Sequence, residues 1–198
     1  LGFGTQPIDY DNDGWSDLFV GNGHIEDLSH LGKPFRMPPQ LLVNQQAQFV
    51  EMVVRSEDAF WTSERLSRGA AILDWNRDGR IDLAVSDLTS RFALLENQTE
   101  STNAWIQLEL VGRTSSRDAI GAGITVIRDG KTTAYALMSG DGYLAKNEHV
   151  VFIGIGDDES DEATINVRWP SGRRQTLPRL TSGRYLLIEG ESEPWKRW

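Results

Sequence analysis

The chain has 198 residues, 39% of them hydrophobic and 25% charged, the balance of a soluble globular protein with one or two domains. A formal net charge of −9 argues against a nucleic-acid surface, and the lack of cysteine excludes disulfides and thiolate-bound metals. No apolar stretch approaches the ~20 residues of a membrane-spanning helix. The chain starts at Leu1 with no methionine and no signal-type segment, so it reads as an excised or processed piece of a longer protein.

In chain order, Ile8 leads into an acidic loop, Asp9-Tyr10-Asp11-Asn12-Asp13-Gly14-Trp15-Ser16-Asp17, and Leu18-Phe19-Val20 follows it. His24 to Pro39 contains Gly32, Pro34, Pro38 and Pro39 and reads as an insertion loop. Gln40 to Gln45 and Gln48 to Val54 supply two further strands, and Ser56 to Leu66 a short helix or an irregular connector. Ala70-Ala71-Ile72-Leu73 then enters a second acidic loop, Asp74-Trp75-Asn76-Arg77-Asp78-Gly79-Arg80-Ile81-Asp82, with Leu83-Ala84-Val85 after it. Phe92 to Gln98 resembles Gln40 to Gln45. Residues 1–102 therefore read as two repeats, about 1–55 and 66–102, each of three or four short strands.

The texture changes over 103–190. Trp105 to Val111 alternates apolar and polar residues, as a strand with one buried face does. Gly123 to Arg128 and Lys131 to Leu137 flank Asp129-Gly130, a strong hairpin signal. Val150 to Gly156, Thr164 to Trp169, Arg173 to Leu177 and Arg184 to Gly190 add strands. Short strands at regular spacing without a helical period predict a β-sandwich or barrel. Glu191 to Trp198 is expected to be a frayed tail.

Both acidic loops read D-x-[DN]-x-D-G-x-x-D. A hard cation such as Ca2+ takes six to eight oxygens at roughly 2.3–2.6 Å. Positions one, three and five can point inward together, a glycine at six permits the sharp turn, a backbone carbonyl at seven adds an oxygen, and an acid at nine closes the shell. The expected ligands of two Ca2+ sites are Asp9, Asp11, Asp13, Trp15 and Asp17, and Asp74, Asn76, Asp78, Arg80 and Asp82. Trp15 and Arg80 would act through their backbone carbonyls. Two bound Ca2+ would bring the formal charge from −9 to −5. EF-hand and dockerin loops need an acid at position twelve, where Val20 and Val85 stand, and strands rather than helices flank both loops. The plainer alternative is a pair of solvated acidic turns, made costly by the mutual repulsion of clustered carboxylates.

With these loops and flanks, the N-terminal half resembles FG-GAP/VCBS repeats, apart from Asn76 in place of the central Asp. That resemblance implies propeller blades of four antiparallel strands with Ca2+ in a loop of each. Arg117-Asp118-Ala119-Ile120-Gly121-Ala122, Ser139-Gly140-Asp141-Gly142-Tyr143-Leu144, Phe152-Ile153-Gly154-Ile155-Gly156 and Val167-Arg168-Trp169-Pro170-Ser171-Gly172 make 103–190 similar to the ASPIC/UnbV domain of the cartilage acidic protein family. The two resemblances together imply a secreted, periplasmic or cell-surface protein. The expected fold is all-β: a partial β-propeller of two blades, then a sandwich- or barrel-like ASPIC/UnbV domain. Two blades cannot close a propeller, so self-association through open blade edges is one expectation.

No nucleophile elbow, P-loop or H-E-x-x-H motif is present. His24 and His30 read as exposed loop residues rather than a zinc pair, and Arg173-Arg174 as an exposed face. Asp157-Asp158-Glu159-Ser160-Asp161-Glu162 reads as a solvated loop with, at most, weak extra cation binding. Asp141, Tyr143, Asn147 and His149 form a polar group that could line a pocket; the plainer reading is a turn at 139–142 with Tyr143 in the core. The leading expectation is a non-catalytic, calcium-binding adhesion or interaction module with a protein or glycan partner. The alternative, prompted by Trp61, Trp195 and Trp198, is a polysaccharide-binding or accessory domain of an extracellular enzyme; a weaker one is a scaffold within an assembly.

Overall fold

The computed structural model describes residues 1–46, 48–54, 59–128, 130–156 and 163–198. They divide into two compact units: Leu1–Tyr10, Trp15–Thr99 and Gly140–Glu148 form the first, and Asp11–Gly14, Glu100–Ser139 and His149–Trp198 the second. Every sheet is small, and the only helices among the described residues are single 3-10 turns, so the fold is all-β as expected.

In the first unit, β1 (Gly2–Ile8), β2 (Asp17–Asn22), β3 (Gln40–Gln45) and β4 (Gln48–Met52) form an antiparallel meander in that order. A second meander follows with β5 (Ser67–Leu73), β6 (Asp82–Asp87) and β7 (Ala93–Leu95). The repeat is exact in register. Leu18 pairs with Leu42 in the first sheet, and Leu83 pairs with Leu95 in the second. Short apolar strands joined by tight loops leave neighbours in sequence as neighbours in the sheet. The second sheet has no counterpart of β4 among the described residues.

The segment before β5 is an irregular connector whose described part holds one 3-10 turn, Ala59–Trp61; Ser56–Asp58 lies outside the described residues. Phe60 is buried, and Trp61 meets Phe19 and Phe60 edge-on at 5.9 and 5.5 Å, a favoured aromatic geometry. Trp61 is thus engaged in packing. His24 is half-buried and His30 exposed.

Gly140–Glu148 belongs to the first unit although its neighbours in sequence belong to the second. Hydrogen bonds hold it there. Glu148 N–H donates to the Ile72 carbonyl at 2.9 Å, and Ile72 N–H donates to Asn147 Oδ1 at 3.0 Å. Asn147 Nδ2 donates to Gln6 Oε1 at 3.1 Å; Gln6 Nε2 in turn donates to the carbonyls of Ala70 and Asp141. Gln6 is fully buried, so its amide needs these partners. The expectation of Tyr143 as a core residue is corrected: the side chain is 45% exposed and its ring meets Phe3 edge-on. Amide and backbone bonds, rather than apolar burial, fix this segment.

The second unit packs two four-stranded sheets face to face. One has the order β11-β8-β14-β15, built from β8 (Ala104–Val111), β11 (Val151–Gly156), β14 (Gly183–Ile188) and β15 (Trp195–Lys196). The other has the order β10-β9-β12-β13, built from β9 (Gly123–Arg128), β10 (Lys131–Ala136), β12 (Thr164–Arg168) and β13 (Arg174–Thr176). Alternate residues of each sheet share one core: Ile106, Leu108 and Leu110 with Ile153 and Leu187 from one face, Ile124, Val126, Ile165 and Val167 from the other. This is the sandwich that the strand periodicity predicts. Trp169, with no exposed surface, fills it just beyond β12. Arg128 pairs with Lys131 across the predicted two-residue hairpin, and Gly130 takes φ 72°; Asp129 lies outside the described residues, as does the acidic run 157–162.

The expected frayed tail is a second correction. Tyr185 pairs with Lys196 and Leu186 with Trp195, so β15 extends the sheet. Lys196 Nζ donates to Thr181 Oγ1 and the Ser182 carbonyl, and the Arg184 guanidinium lies 5.1 Å from the Trp198 ring centre. A cation over an indole face is attractive.

Glu189 is buried, and its carboxylate is surrounded by donors. The backbone N–H groups of Arg113, Thr114 and Ser115 donate to Oε2 at 2.8–2.9 Å, and the Ser115 and Ser171 hydroxyls donate to Oε1. Burial opposes ionisation, but the Ser171, Ser115, Arg113 and Thr114 bonds outweigh it and hold the carboxyl at about 2, below its ordinary 4.5. A depressed carboxyl stabilises the fold above its unfolded value and loses that contribution as pH falls toward the folded one. Thermal melts should therefore show Glu189→Gln less stable than the parent at pH 7, with the gap closing between pH 4.5 and about 2. A gap independent of pH would mean that the carboxylate charge contributes nothing.

Candidate metal centre

The two acidic loops share one backbone conformation. Position four is left-handed in both, Asn12 at φ 61° and Arg77 at φ 64°, and so is position six, Gly14 at φ 87° and Gly79 at φ 88°. Glycine enters that region at no steric cost and asparagine at little. The β strands on either side enter and leave each loop at equivalent positions.

The aspartate at position nine anchors each loop. Asp17 Oδ2 accepts the Tyr10 N–H at 3.1 Å, and its Oδ1 accepts the Asn44 N–H at 2.8 Å. Asp82 repeats the pattern, with Trp75 N–H on Oδ2 and Asn97 N–H on Oδ1, both at 2.7 Å. Both aspartates are almost fully buried. The carboxylate thus ties the second residue of the loop to the third strand of its sheet in the first repeat, and to the segment just past the third strand in the second. Each oxygen accepts one of these bonds. Burial pushes the Asp82 carboxyl above its ordinary 3.8, with Asp78 and Asp74 adding to the rise, against the Asn97 and Trp75 N–H groups. A cation would remove that cost.

The loops differ in their remaining ligands. Within the continuous nine-residue first loop, one carboxylate oxygen from each of Asp9, Asp11 and Asp17 lies within 4.8 Å of the others. Asp13 sits beside them through its N–H, which donates to Asp11 Oδ1 at 3.3 Å, but its carboxylate is outside that trio. Trp15 is half-buried. The Asp11 carbonyl accepts Ser101 Oγ at 2.7 Å and Asn103 Nδ2 at 3.0 Å, which pins the loop tip. Three converging carboxylates with no nitrogen or sulfur donor suit a hard cation.

In the second loop, Asp74 spends its oxygens on the turn, accepting N–H groups of Asp78 and Gly79 at 3.1 and 3.0 Å. Asp78 is ion-paired with the Arg80 guanidinium and accepts Asn76 Nδ2 at 2.7 Å. Arg80 Nε also donates to the Asn97 carbonyl at 2.6 Å. A cation here would have to displace the Arg80–Asp78 pair, and Asn76 brings no charge. The structure gathers the first set of expected ligands more completely than the second.

Three contributors escaped the motif. Asn44 and Asn97 were visible as matching asparagines of the two repeats, but nothing in the sequence says that their backbone N–H groups bind the loop. Glu148 Oε2 accepts the Asp74 N–H at 3.0 Å; no local signal links residues so far apart in the chain. His24 and His30 form no metal cluster among the described residues. His149 Nε2 lies 2.6 Å from the Asp118 carbonyl.

The model of the ASPIC and UnbV family matches residues 112–194. Over 110 residues, 53% of the chain, the sequence is 27% identical to cartilage acidic protein 1 of Xenopus tropicalis. The chain spans 16% of that protein's length.

The anchoring bonds separate two kinds of loop residue. Asp82→Ala strands two backbone N–H groups and should cost about 2–4 kcal/mol in urea melts even with chelator present. Asp11→Ala keeps the backbone carbonyl that Ser101 and Asn103 use, and should cost under about 1 kcal/mol in chelator. Equal losses in the two variants would show that position nine is not the anchor.

Proposed function

We propose that this chain is a calcium-binding, non-catalytic interaction module of a secreted or surface protein, built from two FG-GAP/VCBS-type blades and an ASPIC/UnbV domain. The observation that carries the proposal is the shared loop backbone, with the same left-handed positions and the same doubly bonded aspartate at position nine in both repeats. Convergence of Asp9, Asp11 and Asp17 in the first loop supports it further. The similarity to a protein named for cartilage, a tissue rich in extracellular matrix, supports the setting outside the cell. Ca2+ would supply charge neutralisation, and the loops' own residues hold strand ends in register. The partner would be a protein or a glycan.

The polysaccharide-binding alternative draws on exposed tryptophans. Trp195 and Trp198 are 64% and 42% exposed. Yet Trp195 Nε1 donates to Glu191, and Arg184 covers one face of Trp198. Their place in the sheet edge already accounts for them.

Calorimetric titration of the chelator-stripped chain with CaCl2 should find a tighter first-loop site and a weaker second one. Paired Asp9→Asn and Asp11→Asn substitutions should remove the tighter site. At free Ca2+ of 100 times the dissociation constant the fold should gain about 2.7 kcal/mol per site. A melting temperature unmoved by EGTA at low salt would sink the proposal.

A further inference from the structure

The two sheets of the first unit approach each other at β1 and β5, and no comparable approach joins β4 to β7. Between their outer parts lies a cavity of about 510 Å³, within the size range of small-molecule pockets. Ile8, Leu41, Ile81 and Leu83, each more than nine-tenths buried, form its walls, and the Trp61 ring adds an aromatic side. The mouth carries Tyr10, Glu96, Gln98 and Thr99.

The mouth is fixed before any ligand arrives. Asn97, at its centre, has its N–H on Asp82, its Nδ2 on the Tyr10 carbonyl at 2.7 Å, and its Oδ1 accepting the Thr99 N–H at 3.0 Å. A preformed pocket does not charge binding with loop ordering. Asn97 itself is committed to the fold, so recognition falls to the residues around it.

Charge selects the ligand class. Among the described residues, Glu96 is the one charged residue lining the cavity, and no lysine, arginine or histidine lines it. Arg80, which reaches the Asn97 carbonyl, is neutralised by Asp78. Clefts lined by one sign of charge concentrate the opposite sign, and Trp61 and Tyr10 place aromatic side chains in the lining.

We propose that this cavity binds a small amphipathic cation, an apolar body with an ammonium-type head at Glu96. The fit is independent of the calcium reading, since none of these four wall residues or Glu96 is among the expected ligands.

The test uses the full chain with 1 mM CaCl2 and two probes of equal tail length below their micelle concentrations, decyltrimethylammonium and decyl sulfate. Isothermal titration and Trp fluorescence should show saturable binding of the cation at one site per chain, and at least about tenfold weaker binding of the anion, the ratio that 1.4 kcal/mol of charge preference gives. Glu96→Lys, at an exposed position, should weaken the cation by about tenfold or more. Leu95→Trp, which narrows the cavity from the half-buried end of β7, should abolish saturable binding; a melting temperature near the parent's certifies that each variant is folded. Should Leu95→Trp not fold, Met52→Arg at the exposed lip serves the same purpose by placing a cation there. Equal affinity for the two probes, non-saturating uptake, or binding unchanged in the variants would overturn the proposal. So would a sedimentation result showing the chain dimeric and probe-free until diluted, because the occupant would then be a second copy.

Discussion

A carboxylate buried at the end of an acidic loop is costly unless every oxygen finds a donor. Asp17 and Asp82 meet that condition in the same way: each receives an N–H from the second residue of its own loop and another from an asparagine in or just past the third strand of its own sheet. That single arrangement closes the loop and fixes where the neighbouring strands begin. Strand order, loop shape and the candidate cation position all depend on it. The repeat in sequence is thus a repeat of one bonding scheme.

The same scheme explains why the two loops are not equivalent sites. Their backbones agree within a few degrees at positions four and six, so the difference is chemical. Asn76 replaces an acid, and Arg80 pairs with Asp78. An internal cation thereby takes part of the work that a metal would do. In the first loop the position-seven residue is Trp15, which brings no charge, and the carboxylates of Asp9, Asp11 and Asp17 converge. The preference for the first site in the functional reading follows from these side chains rather than from the motif.

In the second unit, stability comes from a different source. Eight strands in two sheets enclose a continuous apolar core around Leu108, Leu187 and Trp169. One buried charge, Glu189, is tolerated because three consecutive backbone N–H groups and two hydroxyls surround it. Successive N–H groups pointing to one spot form an anion nest. Here the nest is filled by the chain's own side chain, joining the strap after β8 to the residues following β12 and β14.

The sequence by itself determined the strands, the two loops and the all-β class, because alternation, turn residues and the D-x-[DN]-x-D-G-x-x-D spacing are local properties that survive in any context. It also made the sandwich of 103–190 legible through period-two patterning. Other features were decided only by tertiary structure. Tyr143 lies at the surface against Phe3 because Asn147 and Glu148 bind β5, a pairing of residues far apart in the chain. The tail adds a strand because β14 has an open edge that no local pattern in Glu191–Trp198 announces. Asn97 bridges Asp82 and the Tyr10 carbonyl, and the cavity beside it exists because two sheets meet at their first strands and not at their last. Hydrogen-bond partners across long sequence separations depend on how sheets stack, and stacking is a property of whole faces that a single residue's neighbours do not encode.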